Sequence, residues 1–256
     1  MSNFRNWADG PFELVPSPKF KGLTDEKYRA ANEMSISHNV YIRGLNAIYL
    51  QAEHVLEQSD VRDFLLFCKI WVEILDHHHD LEEAIFFTQI EEKTGNKGLM
   101  ATNIEQHRIF HEGLESFIEY LNSAEKDLRM YDGKALKGYI DGFASALVTH
   151  LHDEIPTLIT LADEHDKDGT IGKKAFADFE KELIRRSWWT RHHPFVFGCV
   201  DVSFEDGVNA DWPPVPFFIP YAVSFVFYRK LQGVWRFLPS DFYGRRRDLA
   251  FGPSQS

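Results

Sequence analysis

The chain has 256 residues, 44% hydrophobic and 26% charged, with a net charge of −11. That length buries a core within one domain, and the acidic balance lacks the basic face that nucleic acid or an anionic membrane requires. Two cysteines, Cys68 and Cys199, exclude a disulfide framework, and the opening MSNFRNWADGPFEL has no charged-then-apolar leader pattern, so a cytoplasmic setting is expected.

Residues 1–23 carry Pro11, Pro16 and Pro18 among Gly and Ser and read as an irregular lead-in. Four long amphipathic stretches follow, each closed by a turn signal. The first spans about residues 24–58, with Thr24 as N-cap and Met34, Ile42 and Leu45 on one stripe. The second spans 59–93, opening on Ser59 and stopping at Thr94-Gly95-Asn96. The third spans 98–123, with Met100, Ile104, Leu114 and Ile118 in register, and the fourth spans 132–164 on Phe143, Leu147, Leu158 and Leu161. Pro156 inside this last stretch predicts a kink or an early stop.

Four such segments joined by short polar turns predict an all-α fold, an up-down-up-down four-helix bundle over residues 24–165. An additional helix, about 173–186 within a 166–187 segment, comes next. From 188 to 256 the chain is rich in Pro and aromatics and reads as an extension packing on the bundle. Its apolar run at 215–228 is about two thirds of the ~20 residues of a membrane span and is broken by Pro216 and Pro220, so no transmembrane segment is expected.

Histidines mark the apolar stripes of all four long segments. His38 lies four residues from both Met34 and Ile42. His78 and Glu82 extend a stripe of Trp71, Ile74 and Ile85. His107 and His111 are spaced i, i+4, and His150 is followed one turn later by Glu154. A single such histidine is commonly a hydrogen-bonded core residue. Five His and two Glu facing one axis would instead cost roughly 1 to 3 kcal/mol per unpaired group, a penalty that a metal centre removes. Seven ligands exceed one tetrahedral zinc and include no thiolate. Two six-coordinate first-row ions bridged by carboxylates would use them all, and di-iron and di-manganese sites are built in bundle cores.

In this order, a lone His, H-x-x-x-E, H-x-x-x-H and H-x-x-x-E, the sequence resembles the hemerythrin-like (HHE cation-binding) family. The resemblance implies that His107, His111 and His150 bind one iron, that His38 and His78 bind the other, and that Glu82 and Glu154 bridge the two. It also implies an open coordination position at the iron with fewer histidines, where O2 binds. Manganese suits the same ligands. The spacing His79 to Glu83 repeats that of His78 to Glu82. The latter pair is preferred because IFF then falls where the family motif puts its apolar residues, leaving His77, His79 and Glu83 as solvated or supporting groups. Oxygen-carrying members of the family have H-x-x-x-x-D on the last helix, whereas this chain has the shorter spacing and Glu.

An imidazole-rich donor set favours holding and releasing O2, so O2 binding, storage or sensing is the first functional expectation. The aromatic tail supports an alternative, a di-iron oxidase or oxygenase whose small organic substrate sits in a pocket walled by residues 188–256. If it does not wall a pocket, the tail covers bundle surface. A third expectation is an iron or redox sensor. ADEHDKDGTIGKKAF, residues 162–176, has the look of a calcium loop but places Ala175 where the bidentate Glu belongs, so it reads as a polar turn. His192 and His193 read as loop residues, and no phosphate- or dinucleotide-binding motif is present.

Overall fold

A computed structural model describes residues 7–252, so six residues of the lead-in and four of the extension lie outside it. The described chain is mostly helical, and the only β pairing among these residues is an isolated bridge between Ser240 and Arg246. No helix among the described residues is long and apolar enough to cross a membrane.

Helix α1 (Arg29–Gln51) follows a 3-10 turn at Glu26–Tyr28 and is buried on nearly every side. Met34, Ile42 and Leu45 face inward as their spacing requires. The polar residues on the other side are buried because the lead-in runs along the helix. Asn39 accepts from Val15 N at 2.8 Å and donates to Val15 O at 2.9 Å, while Asn46 accepts from Phe12 N and donates to Ala8 O. Each amide thereby substitutes for backbone partners that an irregular segment lacks.

Helix α2 (Gln58–Leu81) passes through a π-helical turn, Glu82–Phe87, into α3 (Thr88–Thr94), which ends on Gly95 at φ +69°. The turn adds a residue to the helical repeat, so Phe86 and Phe87 are both buried. Helix α4 is Ala101–Lys126.

The fourth predicted helix is two. In α5 (Gly133–Asp141) the Asp132 carboxylate caps the N-terminus by accepting from Lys134 N and Ala135 N, and α6 is Ala144–Glu164. The break falls at Gly142 and Phe143, where Phe143 turns onto Trp71 and Phe117 at ring separations of 6.0 and 5.7 Å. Pro156, the expected breaker, lies in uninterrupted α6. It sits on the exposed side of the helix.

Around the core α1 packs on α2, α2 on α4, α4 on α6, and α6 on α1. Helices α4 and α6 run antiparallel, since Gln106 meets Asp153 while Gly113 meets Phe143.

Helix α7 (Thr170–Arg186) packs against α1, α2 and the π turn. The polar turn before it caps the helix: Asp166 accepts from Ile171 N and Gly172 N. His192 and His193 open a helix, α8 (His192–Cys199), and are not loop residues. Helix α9 (Ile219–Ala222) runs on through a second π turn. From the tail, Phe195 and Phe237 reach full burial against Phe67 and Phe64, and Trp235 is fully buried as well. Gly44 makes room for this, because a Cβ there would come within 2.6 Å of Phe195 and 2.8 Å of Trp71. Trp7 Nε1 donates to Pro239 O at 2.8 Å, fastening the lead-in to the tail.

Candidate metal centre

Where α2 enters its π turn, His78, His79 and Glu82 all point into the core. His38 arrives from α1, His107 from α4, and His150 with Glu154 from α6, all buried. One ligand atom each of His79, Glu82, His107 and His150 fall within 4.8 Å of one another, as do those of His38, His78 and Glu82. Glu82 belongs to both groups. Its Oε1 is 2.8 Å from His78 Nε2 and its Oε2 is 3.5 Å from His107 Nε2, so one carboxylate faces two ligand sets. Glu154 Oε2 lies 3.2 Å from His38 Nε2.

Outer hydrogen bonds fix which ring nitrogen faces inward. The Leu151 carbonyl can only accept, so His38 carries its proton on Nδ1, 2.7 Å away, and turns the Nε2 lone pair to the centre. His107 Nδ1 faces the Glu83 carboxylate at 2.7 Å, and His150 Nδ1 faces Gln106 Oε1 at 3.4 Å. Gln106 is itself anchored by donating to Asp153 at 2.9 Å. The Nε2 atoms of His107 and His150 are then two acceptors 3.0 Å apart. Two lone pairs at that distance repel unless a cation lies between them. Two ligand nitrogens each about 2.1 Å from one ion and at right angles would sit about 3.0 Å apart.

The donor set fits a metal on a second count. Of sixteen buried side-chain N and O atoms without a hydrogen-bond partner among the described residues, eight belong to His38, His78, His79, Glu82 and Glu154. Some are close to each other, yet lack hydrogen-bond geometry, as atoms aimed at a common third point must. At roughly 1 to 3 kcal/mol each, eight orphans would consume the whole stability of an ordinary domain.

Burial, reinforced by neighbouring imidazoles, holds His78, His79 and His150 well below the usual histidine range, and burial lowers His107 too. All are therefore neutral and able to bind a cation. Burial, with Glu154 opposite, pushes the Glu82 carboxyl well up, a shift that a bound cation would reverse.

Six of the seven ligands expected from the sequence, His38, His78, Glu82, His107, His150 and Glu154, converge. His111 does not. It lies exposed on α4, whose buried side runs through Asn103, His107, Phe110, Leu114, Phe117 and Leu121. That stripe shares His107 and Leu114 with the expected one but is centred about 60° round the helix from it, and Ile104, assigned to the core, is 41% exposed. His79, assigned to a supporting role, occupies the place in the cluster, with its ring 4.5 Å from that of His107 and 5.2 Å from that of His150. Its signal was its spacing from Val72, Leu75 and Phe86. Asn103 was missed altogether. It is buried one turn before His107, at the level of Glu154 on antiparallel α6, and neither amide atom has a partner.

The His78 side of the cluster adjoins a cavity of about 150 Å³. Tyr41 and Phe179 form the partition, their rings 4.7 and 5.4 Å from that of His78, and both line the cavity. The tail contributes Phe197, Trp212 and Val215 to its wall.

A sequence model of the hemerythrin HHE cation-binding domain matches residues 30–162. A protein of Cryptosporiopsis sp., named dimeric xanthone biosynthesis cluster protein R11, is 36% identical over 255 residues, covering 98% of this chain and 95% of its own length. No solved structure matches.

Proposed function

Because the chain belongs to the hemerythrin HHE cation-binding family, we propose that it is an up-down-up-down bundle holding two iron ions that use O2 to oxidise a small organic molecule. On this reading His79, His107 and His150 hold one ion and His38 and His78 the other, with Glu82 between them and Glu154 beside His38. The ions supply reversible electron transfer and open coordination for O2, and manganese suits the same ligands. The protein's part is to fix the imidazole tautomers through Leu151, Glu83 and Gln106, and to keep bulk water away with Phe87, Phe110 and Phe179.

One observation carries the oxidative reading: the apolar cavity that shares Tyr41 and Phe179 with the ligand-poor side of the cluster. O2 alone needs no such space, and largely apolar concavities with a few polar groups are typical small-molecule sites. The name of the Cryptosporiopsis relative points the same way, to the making of an aromatic natural product. A specific feature favours a second reading, reversible O2 binding: five of the seven donors are neutral imidazoles, which stabilise high iron oxidation states less than carboxylates do.

Metal analysis of the full chain should find close to two ions per chain, and a value near one defeats the dinuclear assignment. The reduced protein is then exposed to O2 with and without an aromatic compound. Oxidation requires O2 uptake coupled to a new product. Recovery of all the O2 under vacuum, with the compound unchanged, establishes the reversible binder instead.

A further inference from the structure

The cavity beside His78 is built unevenly. Its middle is apolar, formed by Val40, Tyr41, Ile74, Phe176, Phe179 and Leu183, and its volume of about 150 Å³ matches that of cavities that take a benzene-sized ring. Polar groups are set among this lining: Ser37 between Glu33 and Tyr41 on α1, and Ser187, His192 and His193 from the following segments. Glu33 and Tyr41 both line the cavity from α1 and are eight residues apart, which sets them about 12 Å apart along the helix axis. At the Glu33 end stands a second carboxylate, Glu180 of α7, close enough that the two affect each other's ionisation. At the Tyr41 end lies His77, whose Nε2 is buried without a partner.

This end-to-end arrangement is rich in hydrogen-bond acceptors and has no cation in it. Glu33 Oε2 accepts from Trp212 Nε1 at 2.8 Å, leaving Oε1 free, and Glu180 has neither a hydrogen bond nor an ion pair among the described residues. No Lys or Arg lines the cavity, and Arg29, the cation nearest both carboxylates, is paired with Glu26 at 3.2 Å. Burial raises the pKa of both carboxyl groups, which makes each a better proton acceptor once ionised. An anionic ligand would meet two like charges with nothing to offset them. A compact ammonium would satisfy the carboxylate end alone, leaving the aromatic middle and His77 unmet.

Resting on the oxidative reading above, we propose that the cavity selects a neutral, planar, fused-ring phenol. It would lie along α1, donating hydroxyl hydrogens to Glu33 and Glu180 and presenting its far ring to Tyr41 and the metal cluster. Trp212, Pro213 and Val215 line the cavity as well, and its open side leaves room for rings beyond the first.

The test is a binding titration with the full-length chain under anaerobic conditions, where nothing turns over, following tryptophan fluorescence with a Trp212→Phe control. Three probes share a fused-ring body: 2,3-dihydroxyanthraquinone, whose hydroxyls point outward from one end, anthraquinone-2-carboxylate and 1-naphthylmethylammonium. The dihydroxy compound should bind at least about tenfold tighter than either charged probe. The double variant Glu33→Gln/Glu180→Gln, which keeps an acceptor for Trp212 Nε1, should lose about tenfold for the phenol and gain for the carboxylate. Leu183→Trp, which fills the cavity, should abolish binding while the helical circular dichroism stays unchanged. Equal or tighter binding of a charged probe, or phenol binding untouched by Leu183→Trp, overturns the proposal. If the phenol binds as expected but admission of O2 yields no product, the oxidative reading falls and the site assignment stands. If O2 is consumed with a compound that competes poorly with the phenol, the reverse holds.

Discussion

Two groups of histidines lie a few ångströms apart in this protein and are held in opposite ways. In the cluster, His38, His107 and His150 each have Nδ1 committed to an outward acceptor and Nε2 turned inward. Across the Tyr41 partition, His77, His192 and His193 line the cavity with much looser ties. His77 and His193 each have a buried nitrogen with no partner, and His192 lies 3.7 Å from Glu73. Three of the five histidines of the cluster therefore have an acceptor behind them that settles the tautomer before any ion arrives, while His78 and His79 are oriented by packing alone. The cavity histidines lack that second tie and are free to meet a molecule that brings its own donors.

The sharpest way to break this contrast is Glu82→Ala, which removes the carboxylate common to both ligand groups. Metal content should fall from about two ions per chain to below about half an ion, measured by elemental analysis; a variant that keeps both ions would dissolve the shared-bridge geometry. Next come His79→Ala and His111→Ala as a pair. The first should lose about one ion per chain and the second none. The opposite result would restore the ligand set expected from the sequence motif.

Glu83→Gln tests the tie itself. The amide cannot polarise His107 as the carboxylate does, and metal affinity should drop roughly 10- to 100-fold in a chelator competition. The same substitution leaves the cavity histidines untouched. The smallest effect belongs to the cavity side. Burial lowers the His193 pKa from 6.5 to about 4. A histidine depressed in the folded state binds fewer protons than the unfolded chain between those values. Its contribution to stability is thus intact above pH 6.5, declines as pH falls towards 4, and is constant below. At about 1.4 kcal/mol per pH unit of that interval, the loss is roughly 3 kcal/mol. His193→Gln should flatten the pH dependence of urea midpoints by that amount between 6.5 and 4, and an unchanged slope refutes the assignment.

Much of this contrast was legible in the residues. Amphipathic periodicity marked the long helices, although α1 is buried nearly all round, and i, i+4 spacing put His78 with Glu82 and His150 with Glu154 on buried faces. The outer role suggested for Glu83 matches its contact with His107 Nδ1. What was not legible depends on which residues win a contested face. On α4 the large rings of Phe110 and Phe117 set the inward direction, carrying Ile104 and His111 out to solvent. The flanking Arg108, Glu112 and Glu115, all exposed, were the signal for His111. His78 and His79 are about 100° apart on a helix, and both face inward because α1 receives one and α4 with α6 the other, a fact of packing that no single helix encodes. The break at Phe143 and the short helix α8 likewise arise from aromatic contacts made far along the chain.

Helix α7 lies beyond residues 30–162, yet its Phe179 closes the cluster over His78. A chain trimmed to the matched domain would keep every ligand named here and lose the lid on the side where the ligands are fewest. Under the proposed oxidative function, water would then reach the ion held there, and O2 would be consumed without a substrate. On that proposal, the smallest piece that holds metal and the smallest piece that uses it well are different lengths of chain, and the difference is measured by what keeps His78 dry.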